Sequence, residues 1–376
     1  MNILITCPRA PVVLDWIAVF SGSLKTENRI ILCDSLRFPL ATFGAGKRAE
    51  YRRIPAPRTD FAAYAEAMRG LIAQSDFVIP TCEDIFHLAQ IPLLDSERQK
   101  LFMPPRDLLL ALHDKSRFFD YLPRDTAVKF PHTRRLVSAA DADISHLGDS
   151  VFKPVYSRFG RRVKIAPRSS EIAALPISAA EPWVQQQRIA GKPLCSYAVC
   201  EHGRVVAQAV YDPMYMVNGS ASSYFRRVNE PRIDDFVAKF AAQNAFHGQA
   251  AFDFIDDGRE IYVIECNPRA TSGLHLLAGA LSYSGRLKSW RFNPDKIQSN
   301  TTVSKKLWRL FAWQVRREKT RREVRADYAA ARDVLAEMPA YALALSMGEM
   351  AWIAWRKGIA LSDASTADIE WNGDAP

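Results

Sequence analysis

The sequence of 376 residues lacks the features that mark several large classes of protein. It has no apolar run near the roughly 20 residues that a membrane span needs. Its six cysteines are scattered without a Cys-x-x-Cys pair, a spacing that disfavours a zinc site and a disulfide framework. No Gly-x-Gly-x-x-Gly follows the first predicted strand, where "CPRAP" stands instead. These absences argue against a membrane-spanning chain, a disulfide-rich chain and a conventional dinucleotide site.

Charge and cysteine usage narrow the partners and the compartment. The net charge is +9, but Lys and Arg are spread widely, with one dense run near 305–325. No DNA- or RNA-reading module accompanies them, so we expect no nucleic-acid partner. The N-terminus has no basic region and no cleavage site of a signal peptide, and several cysteines lie inside apolar runs. We therefore expect a cytoplasmic protein.

The order of predicted elements indicates an α/β unit followed by an α+β unit. Strands and helices alternate over residues 1–105, which predicts a small parallel, Rossmann-like sheet. Residues 106–290 contain two β-hairpins, with predicted turns at His202-Gly203 and Asp257-Gly258, and a helix between them. Residues 291–303 are polar and are typical of a linker. A long basic helix over 304–337 and a second helix over 341–358 complete a helical C-terminal extension that spans 291–376.

The stretch "IYVIECNPR" places polar side chains on alternate positions at the end of an apolar strand. Glu265, Asn267 and Arg269 share one face by strand alternation, and the hairpin turn brings Asp253 of "FDF" alongside. Two carboxylates and an amide oxygen are ligands that Mg²⁺ prefers, with phosphates and water completing its shell. Arg269 would supply a fixed cation beside the metal. A solvated sheet edge is the alternative for each residue alone, but the set of four favours a metal site.

With these residues the sequence resembles the ATP-grasp superfamily of carboxylate–amine and carboxylate–thiol ligases. The resemblance covers about residues 1–285 and includes "HDK" at 113–115, "FKPVYSRFGRR" at 152–162 and "WVQQQRIAGK" at 183–192. It implies an N-terminal pre-ATP-grasp domain and a two-subdomain ATP-grasp fold whose lid spans about 125–183. It also implies the cofactors ATP and Mg²⁺, with Mn²⁺ as an alternative.

The resemblance assigns the nucleotide contacts. Lys115, on a helix in the family pattern, and Lys153 would carry charge to the ATP phosphates. The loop 156–162 would close over them and contributes Ser157 and Gly160, although it holds fewer glycines than the family pattern. Adenine would pair with backbone groups of the segment after the lid strand. The residues of that segment are Gln187, Arg188 and Ile189.

Four further residues are candidates for the substrate site. Glu83 lies in the turn after a predicted strand, where parallel sheets bind ligands. Arg226 and Arg227 fall where the family has a substrate-facing segment, and a solvated loop is an equal alternative. His275 follows "TSGL" and would line the cavity, although a structural role is commoner for a lone histidine.

These features together predict an ATP- and Mg²⁺-dependent ligase joining a small carboxylate to an amine through an acyl phosphate, with Arg269 as the catalytic cation. A small-molecule kinase and a non-catalytic ATP-binding regulatory module are the alternatives. The basic helix is interpreted as packed on the core, with attachment to anionic lipid as the less favoured alternative. The oligomeric state is left open.

Overall fold

The computed structural model describes residues 1–21, 28–157, 160, 162–217, 221–285, 288–310 and 320–373. Its α-helices are Val12–Ser21 (α1), Leu40–Ala45 (α2), Phe61–Ala73 (α3), Asp84–Leu88 (α4), Asp95–Arg98 (α5), Arg106–His113 (α6), Ser169–Ala173 (α7), Pro231–Gln243 (α8), Lys305–Leu310 (α9), Arg321–Ala330 (α10), Ala340–Lys357 (α11) and Leu361–Ala364 (α12). Its strands are Asn2–Thr6 (β1), Arg29–Asp34 (β2), Ala49–Arg53 (β3), Phe77–Ile79 (β4), Val128–Lys129 (β5), Thr133–Leu136 (β6), Ser150–Pro154 (β7), Lys164–Ile165 (β8), Trp183–Gln187 (β9), Lys192–Glu201 (β10), Arg204–Val217 (β11), Ala221–Val228 (β12), Gly248–Asp256 (β13), Ile261–Asn267 (β14), Leu281–Ser284 (β15), Ser289–Phe292 (β16), Asn300–Thr302 (β17) and Arg332–Asp333 (β18).

The N-terminal unit is the predicted parallel sheet, with strand order β3-β2-β1-β4. The buried runs "ILI" in β1 and "IILC" in β2 form its centre. The chain leaves β1 toward one side and β4 lies on the other, so the carboxyl ends of β1 and β4 flank a switch point. The hydroxyl of Thr81, just after β4, donates to the carbonyl of Thr6 and holds the two ends together.

The central unit is an eight-stranded sheet with order β18-β17-β12-β11-β10-β13-β14-β5. The predicted hairpin turn at His202-Gly203 is confirmed, with φ of 46° and 87°, the positive values that a tight two-residue turn requires. Helix α8 begins at Pro231, where Glu230 accepts a hydrogen bond from the Arg232 N–H as the cap. Its apolar side chains at helical spacing pack on one face of the sheet.

A smaller antiparallel sheet, β6-β9-β7-β8, occupies part of the segment predicted as the lid. Its core contains Leu136, Phe152, Ile172 and Trp183. Strands β7 and β8, on either side of the loop 156–162, pair in antiparallel register. The domain and lid boundaries themselves stay predictions.

The C-terminal region differs from the single long helix predicted over 304–337. The described part of it contains α9 and α10, and α10 ends before β18, which pairs with β17 in the central sheet. The predicted linker 291–303 likewise contributes β17, which pairs with Tyr224–Arg226 of β12. Burial of Trp308, whose indole donates to Thr302 Oγ1, agrees with the packed interpretation of this region. No helix in the described ranges is long and apolar enough to cross a membrane.

Candidate active site

The hairpin that carries the predicted metal ligands contains a β-bulge. Phe254 pairs with Val263, yet Asp253 pairs with Glu265, so Ile264 is an extra residue on β14. Strict alternation would point Glu265 to the same face as Val263, which is buried in the apolar core beneath α8. The bulge reverses the alternation and places the two carboxylates side by side on the opposite face.

The side chains around Asp253 form a compact set of oxygen donors. Asn267 Nδ2 lies 3.4 Å from Asp253 Oδ2, and the Cys195 thiol lies 3.1 Å from Asp253 Oδ1. Desolvation and the neighbouring Glu265 charge raise the pKa of Asp253 to about 6. A divalent cation between these groups would remove that repulsion, and two carboxylates with an amide suit Mg²⁺ or Mn²⁺.

Two buried lysines face this acidic pair. Lys153 of β7 donates to Gln186 Oε1 at 3.0 Å and to the carbonyl of Ile264, the bulge residue, at 3.2 Å. Lys115 Nζ lies 3.3 Å from Glu265 Oε1 and donates to the Ser157 carbonyl at 3.0 Å. Burial and, to a smaller extent, the Lys115 charge lower the pKa of Lys153 to about 8 against the opposing effect of Glu265. The site thus concentrates positive charge where phosphate groups would neutralise it.

The helical placement of Lys115 is wrong in detail. Helix α6 ends at His113, and Asp114 begins the turn that follows. Asp114 accepts hydrogen bonds from the backbone N–H and hydroxyl of Ser116, which fixes this turn. The lysine is therefore held by a rigid turn rather than by a helix.

Arg269 is positioned by an acid of the N-terminal unit. Its Nε and Nη2 lie 2.8 and 2.7 Å from Glu83 Oε1, and Nη1 donates to the Ala270 carbonyl. Glu83 is 1% exposed, so the pair is shielded from water on its acidic side. These contacts restrict the guanidinium, which is a fixed cation beside the candidate metal ligands.

One cavity of about 280 Å³ collects these side chains. The predicted residues that line it are Glu83, Lys115, Lys153, Ser157, Gly160, Asp253, Glu265, Asn267 and Arg269. The lining residues that the sequence did not assign are Cys82, His113, Val163 and Thr366. Cys82 precedes Glu83 and His113 lies two residues before Lys115, so proximity in the sequence could have indicated both. Thr366 lies far in the sequence from every assigned residue, so no such signal could have found it.

The predicted adenine segment does not line this cavity. The Gln187 N–H donates to the His132 carbonyl and the Arg188 N–H to the Asp149 carbonyl, both at 2.8 Å. Alternation along β9 points Gln186 toward Lys153, while Gln187 borders a separate cavity on the other face of the small sheet. The role of Gln187, Arg188 and Ile189 stays a prediction. Within the loop 156–162, Arg158, Phe159 and Arg161 lie outside the described residues.

Three of the four substrate candidates lie elsewhere. Arg226 and Arg227 belong to strand β12 rather than to a loop, and Arg226 pairs with Asp212 at 2.7 Å. His275 is 1% exposed, and its Nδ1 shares a hydrogen bond with Asp15 of α1. Arg332 donates both to the His275 carbonyl and to Asp15, so this histidine joins three elements of the core. Only Glu83 of the four borders the cavity.

The chain is similar to known proteins in its structure, whereas comparisons of its sequence find no match. No protein-family model matches the chain, and no curated protein matches its sequence. The structure is similar to an L-amino acid ligase from Bacillus licheniformis, at 17% identity and TM-score 0.55, over 74% of this chain and 70% of that one. It is also similar to N5-carboxyaminoimidazole synthetase from Staphylococcus aureus, at 16% identity and TM-score 0.57, over 75% and 74% of the two chains. A β-γ-ATP complex of biotin carboxylase from Campylobacter jejuni matches at 16% identity and TM-score 0.57, over 74% and 68%.

These neighbours are ATP-grasp ligases, and the parallel and antiparallel sheets of the chain correspond to their architecture. The likeness at this level of identity concerns the fold and confirms the class predicted from the sequence. The chain therefore shares the fold of these proteins, in agreement with the resemblance found in the sequence.

Proposed function

We propose that the protein is an ATP- and Mg²⁺-dependent ligase that joins a small carboxylic acid to an amine. The observation that carries this proposal is the bulge-built pair of Asp253 and Glu265, which faces Lys115 and Lys153 in one cavity. Phosphoryl transfer needs this combination, because its catalysis consists largely of positioning and of neutralising charge on phosphate oxygens. The similar N5-carboxyaminoimidazole synthetase from Staphylococcus aureus has been solved in complex with ADP, which supports a nucleotide site in this fold.

The set of oxygen donors supports a magnesium site. Asp253, Glu265 and Asn267 would hold Mg²⁺, which would neutralise charge on the transferring phosphate when bound. Lys153 and Lys115 would bind the phosphates of ATP, with Ser157 and Gly160 in the loop above them. Arg269, held by Glu83, would stabilise the negative charge of the acyl phosphate.

The reaction then proceeds in two displacements. A carboxylate oxygen of the acid attacks the γ-phosphorus of ATP, the bond to the β-phosphate oxygen breaks, and ADP leaves. The amine nitrogen next attacks the carbonyl carbon of the acyl phosphate and loses a proton, and inorganic phosphate leaves through a tetrahedral intermediate. Neither step requires a nucleophilic side chain, since the substrates supply both nucleophiles.

The test is a screen for acid- and amine-dependent ADP release. The purified chain is incubated with Mg-ATP and pools of amino acids and small metabolites, and products are identified by mass spectrometry. A ligase releases ADP and phosphate and forms an amide whose mass is the sum of both substrates less water. A phosphorylated product that accumulates without an amine indicates the kinase instead, and nucleotide binding without turnover in any pool indicates the regulatory module.

A further inference from the structure

The C-terminal segment Ser365–Gly373 returns to the N-terminal unit and reaches the cavity. Thr366 is 7% exposed and lines the cavity with Cys82, Glu83 and His113. These four residues come from outside the strands β7, β13 and β14, which bear Lys153 and the metal candidates. The cavity therefore has a phosphate end built by the ATP-grasp sheets and a second end that the C-terminal segment helps to build.

A buried ion pair fixes this segment beside β1 and β2. Asp368 Oδ1 and Oδ2 lie 2.6 and 3.0 Å from the two terminal nitrogens of Arg9, whose other carboxylate partner is Asp34. The Arg9 and Asp368 side chains are 7% and 16% exposed. Arg9 also donates to the Ser365 carbonyl at 3.0 Å, one residue before Thr366. Because removal of one partner leaves buried charge uncompensated, the pair holds the backbone next to Thr366 firmly.

An aromatic contact fixes the other end of the segment. Trp371 is 6% exposed, and its ring lies 5.8 Å from Phe86 and 5.2 Å from Tyr156 by ring centroids. His113, which lines the cavity, lies between them at 4.1 Å from Phe86 and 5.4 Å from Tyr156. Gly373 approaches Tyr156 so closely that a Cβ would stand 2.5 Å from the ring. The segment is thus held at one end by Arg9 and at the other by aromatic residues that include His113 of the cavity wall.

We propose that this segment forms the wall of the acid-binding end of the site and that Thr366 contacts the acid, an assignment that depends on the ligase function proposed above. The acid has to lie within reach of the γ-phosphate and of Arg269, and the phosphate end is taken by the metal and phosphate ligands. The remaining space is bounded by Thr366, Cys82 and His113. Since the whole cavity measures only about 280 Å³ and the phosphates occupy part of it, the side chain of Thr366 limits the size of the acid.

The first test changes the size of this one side chain. The accepted acid is identified from a panel of amino acids and short aliphatic carboxylates by ADP release. Thr366→Leu should raise the KM for that acid about tenfold or more, since pocket contacts of one or two methylenes have such effects. Thr366→Ser, which keeps the hydroxyl, should stay within about twofold, and the KM for ATP should not change in either variant. An unchanged acid KM in Thr366→Leu would overturn the assignment.

The second test measures whether the segment covers the cavity and does not depend on enzymatic activity. The reporter is alkylation of Cys82 by iodoacetamide, followed by mass spectrometry of its peptide. Removing both anchors with Asp368→Ala and Trp371→Ala should speed alkylation about fivefold or more, because an undocked segment uncovers the cavity. Glu370→Gln is the matched control, since its pair with Arg58 lies at the surface, and its rate should equal that of the unmodified chain.

The two tests separate the inference from the proposed function. Equal rates of Cys82 alkylation in the double variant and the unmodified chain would refute the proposal that the segment forms a wall of the cavity, whatever reaction the protein catalyses. If no acid in the panel releases ADP, the ligase proposal fails, while the alkylation rates still decide whether the segment covers the cavity. Thermal unfolding of the double variant, followed by circular dichroism, verifies that the rest of the chain remains folded.

Discussion

At the scale of single residues, the chemistry of the site depends on charges that the fold holds close together. Asp253 and Glu265 are cross-strand neighbours. Lys153 donates a hydrogen bond to the carbonyl of Ile264, the bulge residue. The raised pKa of Asp253 and the lowered pKa of Lys153 both follow from groups desolvated beside charges. Such shifts are common where ligands of opposite charge bind.

Glu265→Gln should abolish ATP turnover while leaving the fold intact. The change keeps the shape of the side chain but removes one anionic ligand, and we expect activity to fall about a hundredfold or more. Glu260→Gln, in the loop of the same hairpin, is the control and should retain activity. ADP release in the presence of the identified acid measures the effect, and wild-type rates in Glu265→Gln would remove the metal assignment.

Lys153→Ala should weaken the binding of Mg-ATP. A buried ammonium group that faces phosphates contributes more to the binding free energy of Mg-ATP than a charge at the surface does. We therefore expect the affinity for Mg-ATP to fall about tenfold to a hundredfold. Lys164→Ala on the adjacent strand β8, where the side chain is exposed, should leave affinity unchanged. Isothermal titration calorimetry of the two variants compares them, and equal affinities would show that Lys153 has only a structural role.

At the scale of elements, the sequence predicted the hairpins but not the bulge that makes them functional. Alternation correctly placed Glu265 and Asn267 on one face, yet it also placed Val263 there, and Val263 is buried in the core. One extra residue at Ile264 resolves this conflict, because register is a property of two paired strands rather than of one. The motif in "IECNPR" was recognisable because its residue types match the chemistry of a metal site.

The turn between α8 and β13 offers a pH-dependent prediction. Burial and the stacked His202, 4.2 Å away, lower the pKa of His247 from 6.5 to about 4. The unfolded chain therefore binds more protons than the folded chain between these values, so stability is lost as the pH falls from about 6.5 toward 4.

When the pH is lowered from 7 to 5, we expect the free energy of unfolding to fall by about 1–2 kcal/mol more in the unmodified protein than in His247→Phe. The phenylalanine keeps a ring against His202 but does not titrate. Urea denaturation at both pH values measures the difference. Identical losses in the two proteins would mean that His247 keeps its ordinary pKa in the folded state.

At the scale of the whole molecule, the two sheets and the C-terminal segment share side-chain packing. One apolar cluster contains Ile3 of β1, Trp16 of α1, Tyr197 of β10 and Leu274 after β14. Hydrophobic periodicity is a local property of the sequence, and it predicted the parallel sheet and the two hairpins that belong to the central sheet. The docking of Thr366 and Trp371 could not be predicted in this way, since contacts between distant segments leave no periodic signal.

Gln249 connects the N-terminal and central units through polar contacts within this core. It is 2% exposed, and its Oε1 accepts from Trp16 Nε1 at 3.1 Å and from the Tyr197 hydroxyl at 2.8 Å. Its Nε2 donates to the Pro80 carbonyl at 2.8 Å, next to the turn that carries Glu83. This one side chain therefore holds α1, β4 and the central sheet in a common position beneath the site.

Gln249→Leu should lower the free energy of unfolding by about 3 kcal/mol, because a side chain of similar size leaves three buried polar groups unpaired. Gln208→Leu is the matched control, since Gln208 makes one bond to Asp234 at the surface, and it should cost less than about 1 kcal/mol. Urea denaturation followed by tryptophan fluorescence and circular dichroism compares the two. If both substitutions cost the same, the hydrogen bonds of Gln249 do not hold the units together. If instead Gln249→Leu separates the two signals into distinct transitions, this side chain couples the N-terminal sheet to the sheet that bears Asp253 and Glu265.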